Sequence, residues 1–116
     1  MSVIRSPAEK NLQDANLIKI KELLKKEFSP IKMYLFGSRV TENFRENSDY
    51  DIVLIVEKRT GTRLENMQKA RLLLFEHDLL GDIFVYTQEE FDDWKEEINS
   101  IPETVLSEGV EIPLGN

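Results

Sequence analysis

Apolar residues Leu17, Ile20, Leu24 and Phe28 recur at helical spacing, with Lys and Glu filling most positions between them. Upstream, Ser6-Pro7-Ala8-Glu9 has the form of a capping box with Pro at the first helical position. The pattern predicts a helix over 7–28, ended by Ser29-Pro30, because the residue before a proline is pushed out of the helical region. The period then changes to two. In IKMYLF, residues 31–36, Met33 and Leu35 oppose Tyr34 and Phe36, as in a short strand that ends at Gly37. Residues 38–48 are polar and read as a helical turn or two and a loop. Residues 50–57, rich in Ile and Val, predict a strand buried on both faces. So short a link between the two strands favours antiparallel or re-entrant geometry.

After a turn at KRTGT, residues Leu64, Met67, Arg71, Leu74, Phe75 and Asp78 alternate between apolar and charged faces at 3.6 spacing, predicting a helix over 62–79 that Leu80-Gly81 stops. DIFVYT, 82–87, is a third strand. A strand-helix-strand crossover of this length makes its strands parallel and right-handed, so both strands start at one edge of the sheet. Thr87 with Glu90 forms a second capping box before a helix around EEFDDWKEEI, and PETVLSEG predicts a last short helix with Pro102 at its start and Gly109 at its end. There is no internal repeat, low-complexity tract or linker. The expected architecture is α/β (α+β), a mixed sheet flanked by helices, with residues 1–116 as a single domain.

Composition narrows the chemistry. With 41% hydrophobic residues in 116, the chain can build a core without staples. It has no cysteine, so any metal must be held by oxygen or by the lone His77, which points to a hard cation such as Mg²⁺. His77 itself falls near a helix end, where an imidazole at the negative pole is commonplace. No apolar run approaches a membrane span and the N-terminus lacks a signal-peptide core, so the expectation is a cytoplasmic protein without membrane contact. Fifteen basic against 22 acidic side chains give a net charge of −7, which disfavours direct nucleic-acid binding and suits a basic partner protein.

The chemistry concentrates in GSRVTENFRENSDYDIVLIVE. Asp is depleted from strands, yet Asp49 and Asp51 stand at alternate positions on the threshold of an apolar one, projecting from the same face. Asp82, starting the parallel neighbour, can join them. Two carboxylates about 4 Å apart repel by roughly 4 kcal/mol at an effective dielectric near 20, a conflict that a divalent cation removes. An EF-hand is excluded because its Gly and closing Glu are missing at the required offsets. Separated from Asp49 by ten intervening residues, 39–48, the pair Gly37-Ser38 allows close backbone approach, and N–H groups at the start of a helical turn bind phosphate oxygens.

The Gly-Ser pair, the ten-residue spacing to Asp-x-Asp, the third Asp in GDIFVYT and the tail VLSEGVEIP together resemble the minimal nucleotidyltransferase (MNT) group of the DNA polymerase β superfamily, over roughly residues 10–112. The resemblance implies a polymerase-β-like core with Asp49 and Asp51 as ligands of Mg²⁺, two ions in all, and Asp82 as the third carboxylate near the acceptor hydroxyl. Gly37 and Ser38 would hold the triphosphate of ATP, with Arg39 touching a phosphate. It also implies the role of the MntA-like antitoxins of HEPN/MNT toxin–antitoxin pairs, in which AMP passes from ATP to a tyrosine hydroxyl of a HEPN-domain toxin partner. In one respect the chain departs from the group: Thr41 and Glu42 stand where Arg-Gly is common, and Lys32, Arg45, Lys58 and Arg63 are candidates to replace the basic contact.

Two other functions are consistent with these residues. One is a non-catalytic antitoxin that neutralises a HEPN partner by forming a complex. The other, a small-molecule nucleotidyltransferase of the aminoglycoside-modifying type, would need a second substrate-binding domain from elsewhere. Tyr86, Phe91 and Trp94 read as core or interface packing, the acidic stretch EEFDDWKEE as a solvated helix face, and surface hydrophobic residues could support a homodimer.

Overall fold

The computed structural model describes residues 14–40 and 49–115. The first helix, α1 (Ala15–Phe28), buries the stripe Leu17, Ile20 and Leu24. It begins later than the predicted residue 7. Asp14 has an extended backbone, φ −68° and ψ 126°, and its carboxylate accepts the Asn16 N–H as an N-cap, so a continuous helix over 7–28 is interrupted there. The capping box at Ser6 lies outside the described residues. Ser29, in the left-handed region, closes the helix before Pro30.

Strands β1 (Lys32–Phe36) and β2 (Tyr50–Val56) pair antiparallel, and β3 (Gly81–Thr87) lies parallel to β2 as the crossover rule requires. The link between β1 and β2 starts with a 3₁₀ turn, Gly37–Val40. Between β2 and β3 runs α2 (Arg63–Glu76), opened by a reciprocal capping box between Thr62 and Glu65. It ends three residues before the predicted limit. Asp78 takes φ +59° and the Leu79 N–H returns to the Leu74 carbonyl, which turns the chain back towards the sheet.

Helix α3 (Gln88–Trp94) has the predicted capping box at Thr87 but stops short of residue 98, while α4 (Ile101–Glu108) carries Pro102 in its first turn and Ser100 as its N-cap. A two-residue strand not anticipated from the pattern, β4 (Val110–Glu111), pairs antiparallel with β1. The sheet order is β3-β2-β1-β4, a mixed sheet as expected.

Strand alternation divides the core in two. Met33, Leu35, Tyr50, Ile52, Leu54, Ile83 and Val85 face α1 and α2, while Tyr34, Phe36, Val53, Ile55, Phe84 and Tyr86 face Phe91 of α3 and Val105 of α4. β2 is covered on both sides, which explains its uninterrupted apolar run. The prediction for α2 needs correction. Its buried positions are Asn66, Ala70 and Leu74, whereas Leu64, Leu72 and Phe75 are exposed. The small Ala70 lets the helix lie close to the sheet, and Asn66 satisfies its amide on the Thr60 and Thr62 carbonyls.

Among the described residues no helix is long and apolar enough to cross a membrane. Leu54 lies at the centre of the sheet and is fully buried. Leu54→Ala should reduce unfolding free energy by about 2–5 kcal/mol, the range for emptying a packed Leu site. Urea denaturation followed by circular dichroism measures it; a loss under about 1 kcal/mol would contradict the packing described.

Candidate functional site

Asp51 interrupts an otherwise apolar strand at the position where the sheet surface meets solvent. In the strand register it is the direct partner of Asp82 on β3 and, on its other side, of Phe36 on β1. Adjacent strands lie about 4.8 Å apart, so these two carboxylates leave neighbouring backbones from the same face, the one covered by α3 and α4. Asp49 precedes the strand and is exposed.

Gly37 completes the arrangement. It follows Phe36 directly, has φ +80°, and borders Asp51 so closely that a Cβ at this position would lie 3.2 Å from Asp51 Cγ and overlap its Oδ2. No side chain fits there, and the conformation is one that L residues avoid. The backbone of the Gly37–Val40 turn is thereby held against the carboxylate. Ser38 is exposed at the turn.

Arg39 points elsewhere. Only 2% exposed, its guanidinium stacks 4.1 Å above the centre of the Tyr50 ring and pairs with Asp14 at 3.0 Å. The Tyr50 hydroxyl donates to the same Asp14 carboxylate. Burial and then this acceptor push the Tyr50 phenol upward, so it stays protonated. Because Tyr50 and Asp51 are consecutive strand residues, this cluster sits on the face opposite Asp51 and ties α1, the 3₁₀ turn and β2 together.

The electrostatics of Asp51 show the strain of the site. Burial first, then the carboxylates of Asp82 and Asp49, push its pKa from 3.8 up to about 6. Among the described residues no three acidic or imidazole side chains are preassembled around an ion position. Asp82 is engaged instead by the Arg71 guanidinium, which reaches it from α2 at the margin of the sheet, where β3 is the outermost strand. Oxygen donors alone, on adjacent strands and with mutual repulsion to be relieved, suit a hard divalent cation.

Beside Asp49 and Asp82 opens a cavity of about 470 Å³, walled by Gln68, Arg71, Leu72, Phe75 and Leu80. Among the basic residues considered from sequence, Lys32, Lys58 and Arg63 do not line it. Lys32 is the register partner of Ile55, Lys58 follows the far end of β2, and Arg63 lies over the ring of Tyr86, itself the partner of Ile55 and four residues along the strand from the level of Asp51. Arg45, Thr41 and Glu42 lie outside the described residues. Arg71 is the basic side chain that sequence reasoning passed over. Its signal was its place two turns before the Leu80-Gly81 stop, on a helix that must return its C-terminal end to the start of β3.

Residues 18–81 match the Polymerase beta, Nucleotidyltransferase family, and the chain belongs to it. No curated protein matches the chain at a significant level. Among solved structures, a Sulfolobus solfataricus protein assigned as a nucleotidyltransferase is similar at 18% identity, over 96% of this chain and 89% of that one, with TM-score 0.54. A toxin–antitoxin complex with AMP-PNP is similar at 23% identity (83% of this chain, 71% of that one, TM-score 0.53). A mutant of the toxin–antitoxin MntA-HpeT is similar at 21% identity, with the same coverage and TM-score 0.51. At these identities the likeness is one of fold.

Two outcomes follow from the geometry. Gly37→Ala should destabilise the protein by at least about 1 kcal/mol, the left-handed penalty alone, and unaltered urea unfolding would show that the approach to Asp51 is not enforced. A carboxyl whose folded pKa exceeds its unfolded value binds its proton more tightly when folded, so it withdraws stability as pH rises from about 4 through 6. In chelator, Asp51→Asn should therefore be more stable than the wild type at pH 8, with the difference shrinking towards pH 4. A wild type at least as stable as the variant at pH 8 would refute the crowding of the three carboxylates.

Proposed function

We propose that residues 1–116 act as a single minimal nucleotidyltransferase domain, cytoplasmic and Mg²⁺-dependent, that transfers AMP from ATP to a hydroxyl, the acceptor being a tyrosine of a HEPN-domain toxin that the chain neutralises as its antitoxin. The observation that carries the reading is the register of Asp51 against Asp82 with the Gly37 turn packed on Asp51, in a chain of this family. The similarity of fold to a toxin–antitoxin complex with AMP-PNP supports the partner class and the donor.

Asp49 and Asp51 would hold the divalent cations, with Asp82 as third ligand. When bound, the cations neutralise the triphosphate and the charge that develops on the leaving group. The backbone N–H groups and hydroxyl of Gly37-Ser38 would hold phosphate oxygens, and Arg39 would act on them through the turn that it braces. Asp82, which lines the open cavity with Asp49, would accept the proton of the attacking hydroxyl. The acceptor oxygen bonds to the α-phosphorus, the α–β phosphoanhydride breaks and pyrophosphate departs. Little covalent work falls to the protein, so positioning and charge stabilisation carry the rate.

Calorimetric titration of ATP, with and without Mg²⁺, tests the first half. Metal-dependent binding should be present in the wild type and absent from a folded Asp49→Ala/Asp51→Ala variant. With the toxin partner as acceptor, Asp51→Asn should lower transfer of labelled AMP by about 10²-fold or more, the scale of losing one charge-stabilising group. Neutralisation of the toxin by a folded variant unable to bind ATP would instead establish an antitoxin that works by complex formation alone.

A further inference from the structure

The acidic site has a cation of its own. Other basic side chains are committed elsewhere: Arg59 to Glu90, Lys69 to Glu27, Arg39 to Asp14, Lys95 to Asp92, and Arg63 to the face of Tyr86. Arg71 reaches Asp82. Its backbone origin is fixed by the turn that ends α2. Leu79 bonds back to the Leu74 carbonyl, and a Cβ on Gly81 would lie 3.0 Å from the Tyr50 carbonyl oxygen and 3.3 Å from Leu74 Cδ1, so helix and strand meet with no space for a side chain. Arg71, three residues before Leu74, is thus held within reach of Asp82. The side chain itself is 64% exposed and Asp82 34%, so the pair can open without disturbing the core.

A guanidinium keeps its charge at any working pH, and a divalent cation needs the same carboxylate oxygens. The two positive groups cannot share Asp82 without repulsion. We propose that Arg71 is a positioning residue that competes with the divalent cation for Asp82, holding the third carboxylate aside and neutralised until the cation displaces it. This rests on the carboxylate site proposed above. It explains why Asp51 and Asp82 are register partners while no three acidic groups are preassembled among the described residues.

The test uses Mn²⁺ alone as probe, with free ion counted by electron paramagnetic resonance, on wild type, Arg71→Gln, Arg71→Lys and Asp51→Asn, each checked for fold by circular dichroism. Arg71→Gln should bind Mn²⁺ about two- to fivefold more tightly, the range that an exposed ion pair commands, and Arg71→Lys should stay near the wild type. Independently, the Arg71 side-chain Nε–H resonance of the wild type should shift on titration with Mg²⁺, a measurement that needs no variant. Equal or weaker binding by Arg71→Gln, or an unmoved Nε–H signal, overturns the competition while Asp51-dependent binding leaves the metal site standing. Wild-type binding insensitive to Asp51→Asn overturns the carboxylate site and this inference with it.

Discussion

The contact between Gly37 and Asp51 constrains everything around it. A carboxylate on a central strand can lie against the backbone of the preceding turn only if that turn has no Cβ and adopts a positive φ, and Gly37 meets both conditions. The turn and the strand then move as one piece. A phosphate held by the first and a cation held by the second would have a fixed separation without any further side chain to enforce it.

That unit needs support from below, and Arg39 provides it by an unusual route. A fully buried guanidinium is tolerable only when its charge is paired and its flat face covered; Asp14 does the first and Tyr50 the second. The same Asp14 caps α1 and accepts the Tyr50 hydroxyl, so one carboxylate joins the first helix to the turn and to β2. The cluster lies on one face of the sheet and the acidic residues on the other, separated by the thickness of a single strand. Structural charge and chemical charge are thereby kept apart, which lets the second set remain underneutralised.

Asp51 is left underneutralised by the fold. It sits in partial burial with two carboxylates for neighbours, and both disfavour its ionised form and raise its pKa. The neighbouring cavity has exposed Leu72, Phe75 and Leu80 in its wall, so its margin is apolar and open. For the transfer proposed above, such a margin fits a second substrate that arrives on another molecule.

Much of this was legible along the chain because it is local. Period-two and period-3.6 patterns located every long element, a capping box placed the start of α3 and Pro102 that of α4, and the spacing of Gly37-Ser38 from Asp49 and Asp51 singled out a stretch whose Gly37 and Asp51 the fold brings into contact. Other features depended on partners distant in sequence. The start of α1 at Asp14 reflects a carboxylate shared with Arg39 and Tyr50, and β4 exists because β1 offers an edge to a two-residue segment too short to carry a pattern. Leu64 and Phe75 looked like core but lie outside, since the close fit of Ala70 set the rotation of α2. The inward turn of Arg39 and the reach of Arg71 to Asp82 were likewise decided by tertiary structure. Residue type and spacing determine which groups a chain can present, but the partner of a long flexible cation is chosen by whichever carboxylate the folded backbone brings within reach.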